Sequence, residues 1–406
     1  MIAHRCPTCG AEDAHVFRRI SDVPVNSCLL FDDSSQAMGL QRGDIDLAFC
    51  NRCAFIFNAA WRPDATVYSD AYEETQVFSE TYSAYQRQLA EELVDRYALF
   101  GKGIVEIGCG KGAFLNLICA LGDNNGIGFD PSFVPERAAG DARTVFRREY
   151  FDEKTELAPP DFICCRMTLE HIAETQAFVR AVRRIASPDR GTIVFFQVPD
   201  VRRILAEGAF WDVYYEHCSY FSPASLGYLF RSAGFDVLRM ESNYDAQYLT
   251  IEARPVTAAL AIDPLQVSEE VGRLAEDVAL YPERASGCVE YWRSMIESVS
   301  RSGGRVALWG SGSKAVAFLS AVAMADEIEY LVDINPFRWG KRVPGSAKLI
   351  VGPEHLTRFP PDLVIAMNPI YRREIAASLV ENGCGSTVLC ALGDWKVQPE
   401  SARMVA

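Results

Sequence analysis

The stretch Ile104-Val-Glu-Ile-Gly-Cys-Gly-Lys-Gly-Ala-Phe-Leu115, continued by Gly126-Ile-Gly-Phe-Asp130, decides the fold. An apolar run enters a glycine-rich turn, a helix-like segment follows, and a second apolar run ends on a carboxylate. That order is the first βαβ unit of a doubly wound α/β fold, with its ligand crevice at the strand's carboxyl end. Gly108, Gly110 and Gly112 let the backbone turn sharply and come close to a ligand. Asp130, at the tip of the next strand, is placed to accept hydrogen bonds from a ribose diol. Glu106 stands two residues ahead of the first glycine, where an acid repels a pyrophosphate, so a phosphate cradle has no use for it.

Working outward, apolar runs recur at 104–107, 126–129, 162–165 and 192–198, with helical patterns between them. A helix is expected over 223–233, then strands at 235–238 and 248–253. Strands alternating with helices imply a parallel sheet, and the two closely spaced last strands imply an antiparallel hairpin at one edge.

The glycine turn with Glu106 and Asp130 resembles motif I of class I S-adenosylmethionine (SAM) methyltransferases, where glycines pass the amino-acid moiety and an acid holds the ribose. The resemblance implies a seven-stranded sheet and adds Phe114, Pro131, Arg166 and Leu169 to the cofactor side. Cys165-Arg-Met-Thr-Leu-Glu-His171 is similar to that family's loop after the fourth strand, whose histidine usually supports the fold. A dinucleotide is the alternative occupant.

A chain of 406 residues suggests two or three domains. With 49% hydrophobic and 23% charged residues it has globular composition and ample core. No apolar run reaches spanning length and no signal-peptide pattern opens the chain, so a cytoplasmic protein off the membrane is expected. A net charge of −14 argues against nucleic acid, which needs a basic face, but not against an anionic small molecule in a local basic pocket. The 13 cysteines fit free thiols plus one metal site better than disulfides.

That metal site is read from Cys6-Pro-Thr-Cys9 and Cys50-Asn-Arg-Cys53. Each CxxC turn presents two thiolates, and two such turns complete a tetrahedral zinc shell. With no open position, the zinc is expected to support the fold rather than catalysis. Beyond this module, Tyr68 and Tyr72 precede a helix expected over 86–99. Tyrosines at this spacing usually pack an amphipathic face; they are site candidates because of the next motif.

Trp211-Asp-Val-Tyr214-Tyr215-Glu216-His217-Cys218-Ser-Tyr220-Phe221-Ser222 follows the fifth strand, where methyltransferase loops overhang the methyl group. A histidine is a suitable general base near neutral pH, and a neighbouring carboxylate or phenol orients it. The alternative is a packed aromatic loop with one hydrogen-bonded histidine.

The four-cysteine module, the EIGCGKGAFL turn, the Tyr-x-Glu-His-x-x-Tyr-Phe-Ser run and a second Rossmann-like unit together resemble the sugar C-methyltransferase family over nearly the whole chain. Its members methylate a ring carbon of nucleotide-linked keto-deoxysugars, dTDP-linked or carried on another nucleotide. The common family run is Tyr-His-Glu-His, so Tyr215 replaces a histidine, and Gln197 stands where a glutamate is frequent. The resemblance implies His217 as the base that forms an enolate. It makes Tyr214, Glu216 and one of Tyr68 or Tyr72 the residues that hold the sugar, with Tyr215 and Tyr220 as further substrate contacts. For the tyrosines to reach, the segment after the zinc module must fold over the site.

The resemblance implies a division into a zinc-binding module (1–65), a SAM-dependent domain (66–255), a helical connector (256–300) and a C-terminal Rossmann-like domain (301–406). In the connector, Val267, Val271, Leu274 and Val278 share one face and Val289, Trp292 and Ile296 another. Arg305–Lys314 opens the last unit as strand and turn, with a second strand at 329–333. Taken alone, this unit is compatible with NAD through Gly310, Gly312 and Asp333, although Ala315 occupies the last glycine position. Within the family it closes over the nucleotide-sugar; from the residues themselves, the helix amides after Gly312 and the charge of Lys314 are expected to favour a diphosphate, and Asn368 to hydrogen-bond the substrate. The expected fold is therefore α/β: a class I methyltransferase sheet with an N-terminal zinc module and a second Rossmann-like domain, in a monomer or small homo-oligomer. O- or N-methylation, a nicotinamide-dependent oxidoreductase and a zinc-ribbon interaction module with a degenerate body are the competing functions.

Overall fold

The computed structural model describes residues 4–138, 142–257 and 264–396. Parts of the expected connector (258–263) and C-terminal domain (397–406) lie outside them. An antiparallel sheet opens the chain, from β1 (Ala14–Pro24), β2 (Arg42–Cys50) and β3 (Ile56–Asn58), with the short helix α1 (Ser34–Met38) between the first two. The Cys50–Cys53 turn joins β2 to β3, and the Cys6–Cys9 turn precedes β1.

The middle of the chain runs α2 (Glu80–Tyr97), β4 (Gly103–Ile107), α3 (Ala113–Gly122), β5 (Asn125–Phe129), β6 (Thr144–Arg147), β7 (Phe162–Arg166), α4 (Thr175–Ile185), β8 (Ile193–Pro199) and α5 (Val201–Glu207). It continues through β9 (Ser219–Tyr220), α6 (Pro223–Ser232), β10 (Phe235–Asn243) and β11 (Tyr248–Pro255). The seven-stranded sheet has the order β10-β11-β8-β7-β4-β5-β6. Neighbours from β8 to β6 pair parallel, and β11 is antiparallel to β8 and β10. This is the expected doubly wound sheet with its edge hairpin. Helix α2 starts at Glu80 rather than residue 86 because Ser79 Oγ accepts from Tyr82 N (3.2 Å) and caps it there. Strand β6 had no apolar run to reveal it, since this edge strand is half exposed.

Strand β9 leaves the middle segment to pair with β3, which completes a four-stranded N-terminal sheet. Helix α7 (Pro264–Arg301) then runs unbroken through Pro282. Its Leu274, Val278, Tyr281, Ala285, Cys288, Trp292 and Ile296 recur every three or four residues and are buried. They join β1, α5 and the last domain in one continuous core.

That last domain has β12 (Val306–Trp309), α8 (Ser313–Val322), β13 (Ile328–Val332), β14 (Ile350–Val351), β15 (Leu363–Ala366), α9 (Arg372–Glu381) and β16 (Val388–Ala391). Its five strands are all parallel, in the order β14-β13-β12-β15-β16. Strand order reverses between β4 and β7 in one sheet and between β12 and β15 in the other. A crevice opens at the carboxyl ends of the strands at each reversal, and both crevices face one cleft. Among the described residues, no helix is long and apolar enough to cross a membrane.

Candidate active site

The cleft holds about 1380 Å³. One wall is the turn after β4. Gly108 has φ +71°, and a Cβ there would lie 1.9 Å from Thr168 Oγ1, so the turn admits no side chain. Asp130 Oδ2 accepts from Gly110 N (2.8 Å), and Oδ1 accepts from Ser132 N and Oγ (both 2.7 Å). A carboxylate has about four lone-pair sites, so capacity for a ligand remains. Glu106 is buried with its Oε2 unpartnered among the described residues; burial pushes its carboxyl up to about 7, against the pull of Arg166. Arg166 lies over the Phe114 ring at 4.0 Å and donates from Nε to Gln197 Oε1 (3.0 Å). Pro131 completes this side.

Segment 61–79 folds over the cleft. Lys111 Nζ donates to Tyr72 O (3.0 Å) and Ser132 O (2.8 Å) and lies 3.7 Å from Glu74, which ties the segment to the glycine turn. Glu73 is paired with Arg137 and accepts from Asn335 Nδ2 (2.9 Å), while Arg338 donates to Glu73 O. One strap thus contacts both sheets. Tyr68 Oη is 3.0 Å from His171 Nδ1, and Tyr72 Oη donates to Glu216 Oε1 (2.9 Å).

The loop after α5 brings in Tyr214 and His217, with Tyr214 Oη 2.7 Å from His217 Nε2. Burial holds His217 well below the usual imidazole range, and the nearby His171 adds to this. The ring is therefore neutral at neutral pH. Across the cleft, Ser311, Ser313, Lys314 and Asn368 line the last domain's switch point.

A profile described as "Methyltransferase domain" matches residues 82–240, and one described as "C-methyltransferase C-terminal domain" matches residues 262–388. C-methyltransferase NovU of Streptomyces niveus is 26% identical over 397 residues, which cover 93% of this chain and 93% of that protein. The chain is a SAM-dependent methyltransferase whose last domain matches the C-methyltransferase profile. Partial likeness extends to magnesium protoporphyrin IX methyltransferase of Synechocystis PCC 6803 (17% identity, 43% of this chain, 84% of that chain, TM-score 0.34). A SAM-dependent methyltransferase of Aquifex aeolicus is similar over 43% of this chain and 98% of that chain, at 15% identity and a TM-score of 0.33.

Several residues expected at the site of this methyltransferase lie elsewhere. Tyr215 is buried in the core; its Oη accepts from Arg62 N (3.0 Å) and its ring fills the space beside Gly43, so the change from the family's histidine falls away from the cleft. Tyr220 is a core residue of β9. Glu216 sits behind the cleft wall, held by Tyr72, Ser27 and Asn26, where it anchors the strap. Leu169 belongs to the core, and Gly112 lies against Phe146, where a Cβ would come within 2.5 Å of the ring. Two residues line the cleft with their polar groups already engaged. Lys314 Nζ is 2.6 Å from Asp212, which also binds Arg203. Asn368 exchanges two hydrogen bonds with Gln247 (3.0 and 2.9 Å). Each of these partners is distant in sequence, so no local signal marks the pairing. Lys111, Glu74, Arg338 and Glu170 line the cleft and were not anticipated.

The enzyme's four N-terminal thiols converge. Cys6 and Cys53 Sγ are 3.7 Å apart, Cys9 and Cys50 Sγ are 3.6 Å apart, and all four lie within 4.8 Å. A tetrahedron with Zn–S arms of about 2.3 Å has edges of about 3.8 Å, so the geometry fits such an ion.

Proposed function

We propose that this C-methyltransferase acts on a ring carbon of a nucleotide-linked keto-deoxysugar with His217 as general base, and that zinc fills the four-cysteine site. The observation that carries the reading is the neutral, buried imidazole of His217, bound to Tyr214 and opening on a cleft shared by two switch points. The cleft exceeds the upper range of about 1,000 Å³ for one ordinary ligand, which suits a cofactor and a nucleotide-sugar side by side.

SAM supplies, when bound, a methyl group made electrophilic by a sulfonium. The unpartnered Glu106 Oε2 fits that cofactor, with Asp130 on its ribose. Hydrogens next to a ketone are weakly acidic. His217 takes one, and the C–H electron pair becomes the enolate that forms the new carbon–carbon bond. Tyr214, with Tyr68 or Tyr72, steadies the sugar and its developing oxyanion. The amide end of α8 suits a diphosphate; Lys314 is withdrawn from that role by Asp212, and the Ser311 hydroxyl by Asp333.

Incubation with methyl-¹³C SAM and a panel of dTDP-keto-deoxysugars tests the reading. The expected product carries a methyl signal coupled to a ring carbon. A methoxy or N-methyl product overturns the enolate route. Separately, Asp130→Ala is expected to weaken SAM binding by about 1–3 kcal/mol through lost ribose hydrogen bonds. Unchanged affinity by calorimetry would remove Asp130 from the ribose.

A further inference from the structure

Glu170 follows β7 in the turn Leu169–His171 and is 1% exposed. Neither of its carboxyl oxygens has a hydrogen-bond partner among the described residues. His217, 3% exposed, is bound at Nε2 by Tyr214, yet its Nδ1 is likewise unpartnered. A carboxyl oxygen of Glu170 and ring nitrogens of His171 and His217 lie within 4.8 Å of one another. Leaving a buried polar atom unpaired costs about 1–3 kcal/mol. Here the orphaned atoms are an acceptor-bearing carboxyl and a nitrogen that needs a partner, on residues of one cluster in the cleft wall. Such contacts are often long before substrate binds and tighten in the reacting complex.

We infer that Glu170 is the positioning residue for His217: its carboxylate takes the Nδ1–H, which leaves the Nε2 lone pair, beside Tyr214, for the substrate proton. This rests on His217 as the base. In the reaction, the substrate proton binds Nε2 and the C–H electrons stay on the sugar. Glu170 holds the Nδ1–H of the imidazolium without becoming protonated, as the carboxylate of a catalytic triad does. His171 Nδ1 is engaged by Tyr68 Oη (3.0 Å) and Glu216 O (3.1 Å). A cation bound by the three residues would take the Nδ1 lone pair of His217 and force the proton onto Nε2, which would disable the base.

The pairing has a pH signature. Burial without a compensating cation pushes Glu170 up to about 8. The ionisable groups facing it are Cys165 on β7, Cys218 before β9, Tyr68 on the strap, Tyr214, His171 and His217. At His217 the further charges are Asp212 and Lys314, which pair with each other. Below pH 8 the neutral carboxyl donates to Nδ1 and the imidazole proton sits on Nε2. Above it the carboxylate accepts from Nδ1–H and the base is ready.

The chain has only five histidines, so ¹⁵N-histidine labelling of the full-length, zinc-loaded protein with S-adenosylhomocysteine reads the tautomer directly. His217→Gln assigns the signal. The expected result is a neutral His217 that changes from Nε2–H to Nδ1–H with a midpoint near 8, and no such change in Glu170→Gln. On a keto-sugar substrate, the acid limb of kcat/KM should share that midpoint, and Glu170→Gln should lose it together with about 10²-fold or more of kcat. Unmoved signals from the distant His15 and His355 show that the variant is folded. A His217 tautomer that ignores pH and is the same in Glu170→Gln overturns the inference. Activation by added Mn²⁺ that disappears in Glu170→Gln also overturns it, in favour of a cation site. Wild-type transfer by His217→Gln would instead overturn the base itself, a result separate from the tautomer spectrum.

Discussion

His217→Ala is expected to slow methyl transfer by about 10²–10⁴-fold, the usual worth of a general base, while affinity for S-adenosylhomocysteine stays unchanged. The separation follows from position. His217 is bound to Tyr214 on the loop after α5, whereas Glu106, Gly108 and Asp130, the residues proposed to meet the cofactor, belong to β4, its turn and the tip of β5. Single-turnover transfer and calorimetry on the same preparation measure the two quantities. Equal loss of both would mean that the imidazole shapes the cleft, because His217 also packs edge-on against His171, which in turn contacts the strap.

Cys53→Ala is expected to have the largest effect on stability. Structural zinc contributes about 10–16 kcal/mol in isolated zinc-finger peptides, comparable with the whole net stability of about 5–15 kcal/mol of an ordinary domain. With zinc in that site, loss of one thiolate would open the tetrahedron and loosen the turn that joins β2 to β3. Strand β3 pairs with β9, two residues beyond His217, so the damage reaches the loop that carries His217. The variant should lack metal by elemental analysis, melt at a clearly lower temperature and lose transfer, while its seven-stranded sheet still binds S-adenosylhomocysteine. A metal-free variant with wild-type melting and activity would show the four thiols to be ordinary core residues.

The parts of this protein legible in its sequence are those written in local spacing. The βαβ unit at residues 104–130 announced the doubly wound sheet, and hairpin spacing announced β10 and β11. The paired CxxC turns announced the thiol cluster. Partnerships across the chain were not legible. Nothing near Lys314 marks Asp212 as its partner, and nothing near Asn368 marks Gln247. The run from Trp211 to Ser222 forms only a short turn and a two-residue strand, so no period shows which side chains face the cleft. Tyr214 and His217 turn inward to it, whereas Tyr215, Glu216 and Tyr220 turn away. Glu170 lay within a recognised loop motif, but its solitude is a property of depth rather than of spacing.

The pairing of β3 with β9 also bears on how the chain is made. When residue 58 leaves the ribosome, its sheet has an open edge, and the strand that closes it lies about 160 residues downstream. At roughly 5–20 residues per second, that edge waits on the order of ten to thirty seconds. Three residues form the edge, too short a template for a passing neighbouring chain to extend. The cysteine turns are complete from the start of this interval. Metal captured then would hold the nascent sheet in register until its last strand is synthesised.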